Sequence, residues 1–213
     1  MNVVETDRLI LRNFRQGDAA DLFAYLHQPR SSCFASLKLA DLSAAQAEVE
    51  TRSGSDEHVA VCLRGSDRLI GDLFCVHEPP DTYSVGWNFN ANFGGVGYAS
   101  EAARALFDHL FRVKEARRLY AYVEDDNLAS QRLCERLGMR REGVFIEFVS
   151  FTNDDAGNPI YENTMQYAIL RREWMSGAIL IGDATAFAAV GGSVAPKSEI
   201  DGIWRAEDDE TEN

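Results

Sequence analysis

Near the middle of the chain, three glycines stand within four positions, directly before a segment with a helical pattern. The stretch reads NFGGVGYASEA and covers residues 92 to 102. Glycine loses more backbone freedom on folding than any other residue, so a glycine cluster indicates a place from which side chains must be excluded. The free amides at the start of a helix bind anions such as phosphate. The stretch therefore predicts a phosphate-binding loop.

Regular patterns surround this loop on both sides. From Ala102 to Val113 apolar residues repeat with the spacing of an amphipathic helix. Strand patterns cover residues 8–12, 58–63, 68–76, 83–89, 118–123, 144–151 and 161–170. Helical spacing and stop signals predict further helices over residues 18–26, 43–51, 127–137 and 171–175. This order predicts an α/β chain with a mostly antiparallel sheet, because hairpin turns join many of the strands.

Length and composition narrow the classes of protein to which the chain can belong. A chain of 213 residues, 46% of them hydrophobic, suffices for one domain. The net charge of −13 argues against general nucleic-acid binding, which needs a basic surface. Seven acids against one base fall within residues 199–213, which predicts a solvated and partly disordered tail.

The sequence carries no clear signal for export, membrane insertion or metal binding. The N-terminus lacks the layout of a signal peptide, and no segment approaches the apolar length of a membrane-spanning helix. The four cysteines (Cys33, Cys62, Cys75 and Cys134) are scattered, without the spacing of a zinc site or a disulfide framework. We therefore expect a cytoplasmic protein with no metal, no membrane partner and no nucleic-acid partner.

Three kinds of phosphate loop are compatible with glycines before a helix. The Walker A loop needs a lysine directly after its last glycine, and Tyr98 follows Gly97 here, so this kind is excluded. The dinucleotide-binding pattern GxGxxG is nearly matched from Gly95 to Ser100, but it belongs in a parallel strand–helix–strand unit. The strands predicted before this loop form hairpins instead. The third kind belongs to a family that is identified by sequence segments before and after the loop, which are described next.

Three segments in a fixed order carry a family resemblance. They read ETDRLILR at residues 5–12, GGVGYASEA at residues 94–102 and NLASQRLCERLGM at residues 127–139. Together they resemble the GNAT N-acetyltransferases, in particular the branch similar to the ribosomal-protein-alanine N-acetyltransferases. The resemblance covers the chain from residue 5 to about residue 175.

The resemblance implies a fold and an acyl donor. The fold is the GNAT α/β fold, with a mixed, mostly antiparallel sheet of about seven strands flanked by helices. It would occupy residues 1–176, and residues 177–213 would form a C-terminal extension. The donor is acetyl-CoA, whose pyrophosphate would be held by loop amides and the helix dipole without a metal. The residues implied in CoA binding are Phe89, Asn90, Gly94, Gly95, Val96, Gly97, Tyr98, Ala99, Ser100 and Asn127.

The resemblance also implies a reaction, the direct attack of a primary amine on the thioester. The amine would belong to a protein N-terminus or to a small molecule. The candidates for the acid that protonates the departing thiolate are Ser130 and Cys134, the latter at a position where many members carry tyrosine. The base stays unassigned. Ser84 stands where relatives often carry glutamate, while Asp72 and His77 are substitutes by position only.

Two functions remain open from the sequence. The first is an N-acyltransferase that moves an acetyl group or another short acyl group to an amine. The second is a non-catalytic acyl-CoA-binding or regulatory module of the same fold, because the usual tyrosine and glutamate are missing at Cys134 and Ser84. A homodimer is compatible with either function.

Overall fold

The fold is taken from a computed structural model that describes residues 3–29 and 31–177. The strands are β1 (Val4–Glu5), β2 (Leu9–Arg12), β3 (His58–Leu63), β4 (Leu69–Glu78), β5 (Thr82–Phe89), β6 (Arg118–Glu124), β7 (Arg140–Asn153) and β8 (Pro159–Leu170). The α-helices are α1 (Ala19–Leu26), α2 (Leu42–Ser53), α3 (Tyr98–Arg112), α4 (Leu128–Arg136) and α5 (Arg171–Ser176). Short 3-10 helices cover Gln16–Asp18, Ser32–Leu37 and Ala91–Phe93. No helix in this part of the chain is long and apolar enough to cross a membrane.

The eight strands of the described residues form one sheet, in the order β1-β2-β3-β4-β5-β6-β8-β7. Every neighbouring pair is antiparallel except β5 and β6, which run parallel. The predicted α/β fold with a mixed, mostly antiparallel sheet is therefore confirmed, and the short strand β1 comes in addition. Residues 178–213 of the predicted extension lie outside the described residues, so the boundary at residue 176 stays a prediction.

The parallel strands β5 and β6 separate after a short paired stretch. Their ladder joins Thr82–Ser84 to Arg118–Tyr120 and ends there, although β5 continues to Phe89 and β6 to Glu124. On its other side β5 stays paired with β4 along its whole length. The two strands therefore diverge toward their C-terminal ends. In the described sheet, the backbone groups of β5 that face this gap have no partner strand, so they are available to a polar ligand or to water.

Helices cover both faces of the sheet. Consecutive residues of β3 alternate between two apolar clusters, with Val61 in one and Cys62 in the other, as expected for side chains on opposite faces of a strand. The first cluster contains the apolar residues of α3 and α4. The second contains those of α1 and α2. We call the two sides the α3/α4 face and the α1/α2 face.

Two buried arginines link polar groups on the α1/α2 face. Arg12, at the end of β2, donates two hydrogen bonds of 2.8 Å to the carboxylate of Asp18, just before α1. Arg52 of α2 donates to Asp72 of β4 at 3.0 Å, and Asp72 also accepts from the hydroxyl of Tyr25 at 2.7 Å. Because all four charged groups are buried, each carboxylate needs its arginine to offset the loss of solvation.

Replacing Arg12 by methionine leaves Asp18 buried without a counter-charge. We expect Arg12→Met to lower the free energy of unfolding by about 3–5 kcal/mol, the usual cost of breaking a buried ion pair. The control is Arg15→Met, because Arg15 pairs with Asp67 at the surface and an exposed pair contributes about 1 kcal/mol or less. Urea unfolding followed by circular dichroism measures both variants. Equal losses in the two would contradict the role assigned to Arg12.

Candidate active site

The predicted phosphate loop lies between β5 and α3. Gly95 has a φ of +80° and Gly97 a φ of +90°, in the left-handed region that residues with side chains rarely adopt. No heavy atom of the described residues, apart from the immediate chain neighbours, lies within 4 Å of the position that a Cβ on Gly95 would take. Gly97 is the N-cap of α3. The loop conformation thus requires both glycines, and it leaves room for a ligand against the backbone of Gly95.

The first turn of α3 presents free amides next to this loop. Tyr98, Ala99 and Ser100 begin the helix, which has 15 residues. The amides of the first turn have no acceptor within the helix, and the helix dipole adds a partial positive charge there. Val96, in the loop, is exposed. This geometry fits the pyrophosphate that the sequence predicts at these residues.

Arg8 holds the loop and the start of α3 together. Its guanidinium donates to the carbonyl oxygen of Val96 at 2.9 Å and lies over the ring of Tyr98, 4.6 Å from the centroid. It also pairs with Glu101 of the first turn at 2.6 Å, and Thr6 donates to the same carboxylate at 2.6 Å. Burial alone would raise the pKa of Glu101, but these hydrogen bonds outweigh burial and hold the pKa below its usual value.

Two further arginines belong to α3 and α4: Arg136 reaches Ser100 in the first turn of α3, whereas Arg104 lies over the ring of Trp174, 5.5 Å from the centroid. Arg136, at the end of α4, donates to Ser100 Oγ at 3.3 Å, and Arg104 of α3 donates to the carbonyl oxygen of Arg136 at 3.3 Å. Both side chains are exposed, and within the described residues neither forms an ion pair. Sequence analysis missed them because the loop itself contains no lysine or arginine and Arg136 lies far from it in the chain.

A cavity of about 380 Å³ opens beside the gap between β5 and β6. Most of its wall is apolar. The apolar residues come from the Ser32–Leu37 segment and from the strands; they include Phe34, Leu37, Phe74, Val85, Trp87, Tyr122, Phe148 and Phe151. The polar residues include Cys33, Arg52, His58, Asp72, Ser84, Glu124, Asn127, Ser130 and Thr164. The cavity therefore contains residues from both faces of the sheet, which meet where β5 and β6 diverge.

Asn127 and Ser130 meet at the start of α4, and both line the cavity. The side chain of Asn127 caps the helix, because its Oδ1 accepts from the amide of Ser130 at 3.1 Å. Ser130 Oγ accepts a hydrogen bond of 3.0 Å from the indole of Trp87 on β5. Within the described residues the Ser130 hydroxyl proton has no partner. Ser130 can therefore donate this proton to a group in the gap between the strands.

Cys134 lies one helical turn after Ser130 but points elsewhere. Its side chain is 0% exposed and belongs to the core between the sheet and α3, and it is not part of the cavity wall. Burial raises the pKa of its thiol to about 12. Of the two predicted acid candidates, the structure brings only Ser130 to the cavity.

Phe89 and Asn90 lie at the end of β5, where the sequence predicts contacts to the donor. The amide of Asn90 donates to the carbonyl of Ile70 at 3.0 Å, and its carbonyl accepts from the amide of Phe93 at 3.0 Å. Its side chain caps the following turn by accepting from Asn92. The backbone of Asn90 is thus engaged within the protein. The β5 backbone that faces the gap lies earlier, between Val85 and Phe89.

The substitute bases suggested by position lie in different environments. Asp72 is 4% exposed and bound to Arg52 and Tyr25; burial raises its pKa although Arg52 acts in the opposite direction. His77 is exposed at the surface, where its ring contacts Tyr83 with a centroid distance of 4.8 Å. Asp72 belongs to the cavity wall and His77 does not.

Glu124, at the end of β6, is a cavity residue that sequence analysis missed. Its carboxylate is buried, and Asn127 Nδ2 lies 3.4 Å from its Oε2. Thr164 stands opposite it on β8. In the sequence, Glu124 is an acid at the end of a strand rich in apolar and aromatic residues, three positions before Asn127. Because acids at strand ends are usually solvated, this pattern does not by itself predict a buried carboxylate.

Comparison with known proteins gives one consistent family. A family model described as an acetyltransferase (GNAT) domain matches residues 8–140. The uncharacterized N-acetyltransferase YnaD of Bacillus subtilis is 32% identical over 80% of this chain and 98% of its own. The crystal structure of a GNAT-family acetyltransferase from Bacillus anthracis is 27% identical, covers 80% of this chain and 99% of its own, and has a TM-score of 0.72. The ribosomal-protein-S5-alanine acetyltransferase of Vibrio fischeri shares the fold at 16% identity and a TM-score of 0.64, with coverage of 82% and 99%.

The reactivity of the Cys134 thiol tests whether Cys134 lies in the core. Burial raises the pKa of Cys134 and of Cys62 to about 12, against 9.0 for an exposed thiol. At pH 8 the thiolate fraction then falls from about one in ten to about one in ten thousand. We expect Cys134 to resist iodoacetamide at pH 8 in the native protein and to react readily in concentrated guanidinium chloride, as read by peptide mass spectrometry. Fast labelling of Cys134 in the native state would contradict its place in the core.

Proposed function

Since this chain belongs to the GNAT family and is an N-acetyltransferase, we propose that acetyl-CoA is its donor and a primary amine its acceptor. The acceptor amine would belong to a small molecule or to a protein N-terminus. The observation that carries the proposal is the continuity of three features: the phosphate loop at the start of α3, the gap between β5 and β6, and the cavity beyond it.

The donor fits these features from one end to the other. The amides of Tyr98, Ala99 and Ser100 and the open backbone at Gly95 suit the pyrophosphate. The unpaired backbone of β5 suits the amides of the pantetheine chain, which can bond to it as a further strand would. The guanidinium group of Arg136, which contacts Ser100 and forms no ion pair within the described residues, would provide charge for the third phosphate of CoA.

The reaction needs positioning, a proton acceptor that frees the amine lone pair, for which no residue is assigned, and a proton donor for the departing thiolate. Bound acetyl-CoA supplies a thioester carbonyl that an amine nitrogen can attack. Overall, an N–C bond forms and a C–S bond breaks, so that a protonated amine and acetyl-CoA give an acetamide, the CoA thiol and one proton released to solvent. Ser130 would donate a hydrogen bond to the departing sulfur; the support is that its Oγ accepts from the indole of Trp87 and its proton has no partner in the described residues.

The donor site is tested by a charge placed in the loop. Gly95→Glu should weaken CoA binding by at least about 100-fold, because a carboxylate would stand beside the pyrophosphate. The matched control is Gly157→Glu, since Gly157 has a similar φ of +86° and equally open surroundings in the turn between β7 and β8. Isothermal titration calorimetry with CoA measures both. Unchanged affinity in Gly95→Glu would sink the placement of the pyrophosphate.

The role of Ser130 is tested by separating binding from turnover. Ser130→Ala should lower kcat by about 100-fold or more, the usual contribution of a positioned acid, and should leave the Kd for CoA unchanged. Free-thiol release from acetyl-CoA over a panel of amines and N-terminal peptides measures kcat. A wild-type kcat in Ser130→Ala would show that the leaving sulfur obtains its proton elsewhere.

A further inference from the structure

Three carboxylates are buried in the described residues, and one of them forms no ion pair with a lysine or arginine of that part of the chain. Asp18 is paired with Arg12, and Asp72 with Arg52. Glu124 is 7% exposed, yet no lysine or arginine of residues 3–29 and 31–177 forms an ion pair with it. Burying a charge without a counter-ion is costly. Because Glu124 lines the cavity, a cation that enters the cavity can reach it.

Hydrogen-bond acceptors and negative charge surround Glu124 on the cavity side. Thr164, its cross-strand neighbour, also lines the cavity and is 4% exposed, and its Oγ1 has no hydrogen-bond partner in the described residues. Burial raises the pKa of the Cys33 thiol most; a hydrogen bond to the Glu124 carboxylate, and then the charges of Glu124 and of Glu162 on β8, raise it further. This end of the cavity therefore presents the Glu124 carboxylate and the Thr164 hydroxyl, which suit an ammonium group, while Glu162 is not part of the cavity wall.

The Ser32–Leu37 segment covers this end. Ser32 Oγ donates to the carboxylate of Glu162 at 2.6 Å, and Asn127 Nδ2 donates to Ser31 Oγ at 3.2 Å. These contacts hold the segment against β8 and α4. Because the segment keeps bulk water away from Glu124, the Glu124 carboxylate attracts a cation more strongly than a surface carboxylate does.

The other side of the cavity offers no charge for a second ionic group. It is formed by β4 and α2, and β5 lies between β4 and the diverging β6, so it is at least about 10 Å, two strand spacings, from Glu124. Arg52 donates to Asp72 at 3.0 Å and to Glu48 at 2.7 Å, so its charge is compensated. Burial lowers the pKa of His58, which keeps its imidazole neutral near pH 7. Within the described residues, a ligand carboxylate would find no free cation there, and a second ammonium group no free carboxylate.

We propose that Glu124 and Thr164 bind the ammonium group of the acceptor, and that the acceptor is a small monoamine with an apolar body. This inference rests on the proposed acetyl transfer and specifies its substrate class. The ammonium group donates hydrogen bonds to the two side chains, and the apolar body lies against the cavity wall, which includes Phe74 and Trp87. An amino acid is disfavoured by its carboxylate, a diamine by its second charge, and a peptide by the Ser32–Leu37 cover.

An acceptor panel tests the substrate class. The probes are 2-phenylethylamine, phenylalanine, 1,4-diaminobutane and a tetrapeptide that begins with alanine, each with acetyl-CoA and the wild-type protein. We expect kcat/KM for 2-phenylethylamine to exceed that of each other probe by at least about 10-fold, because an uncompensated charge in an apolar cavity is strongly rejected. A higher kcat/KM for any of the other three would overturn the proposed class.

The anchor is tested by Glu124→Gln, which removes the charge and keeps the size of the side chain. The matched control is Asp126→Asn, because Asp126 is exposed two residues further on. We expect Glu124→Gln to raise KM for 2-phenylethylamine by at least about 10-fold, as for the loss of one charge-assisted hydrogen bond, while kcat changes less. Calorimetric titration with the amine, without acetyl-CoA, should show the same loss. An unchanged KM and amine affinity would overturn the assignment.

Two further measurements distinguish a role of Glu124 in amine binding from a role in folding. Glu124→Gln should melt at the same temperature as the wild type or higher, because it removes a buried charge that pairs with no lysine or arginine of the described residues; a clear fall would show that Glu124 serves the fold instead. Thr164→Val should raise KM for the amine by a smaller factor, and it tests the same end of the cavity without a change in charge. If the wild type transfers acetyl groups and Glu124→Gln has an unchanged KM for the amine, only this inference is overturned. If the wild type neither binds CoA nor transfers acetyl groups, the proposed function is overturned.

Discussion

Parallel pairing between β5 and β6 covers only Thr82–Ser84 and Arg118–Tyr120, and the rest of the site depends on the divergence that follows. A continuous ladder would satisfy the backbone of both strands and keep the two faces of the sheet apart. Because the ladder opens, Ser130 on the α3/α4 face and Glu124 on the α1/α2 face line one cavity. In the proposed function, a donor with a long polar chain would enter from one face and an amine from the other, so the two reactants would meet without a covalent enzyme intermediate.

The loop and the far end of the cavity carry opposite charges, which would attract the two reactants to different ends of the site. The amides at the start of α3, together with Arg136, make the end proposed for the donor positive. Glu124 and Glu162 make the acceptor end negative. A phosphorylated donor and a cationic acceptor are each attracted to one end and repelled by the other. The net charge of −13 favours approach of a cation to the protein as a whole.

Local rules made the loop and its helix predictable from the sequence, whereas contacts between distant segments did not. The positive φ of Gly97 and the start of α3 at Tyr98 follow from neighbouring residues alone. Strand β7 begins at Arg140, before the predicted start at residue 144, because register shifts interrupt its alternation. Glu124 reads as an ordinary strand-end acid, and only burial under the Ser32–Leu37 segment distinguishes it. Ser130 and Cys134 share a helix, so the packing of α4 alone decides which one faces the cavity.

The central claim is that acetyl-CoA lies along the loop and the gap between β5 and β6. Hydrogen–deuterium exchange with and without CoA tests it most directly, because unpaired amides exchange fast and become protected when a ligand binds them. We expect new protection in peptides that cover residues 85–89 and 95–101, with little change in the hairpin of β7 and β8. Protection confined to other segments, or CoA binding without protection at residues 85–89, would contradict it.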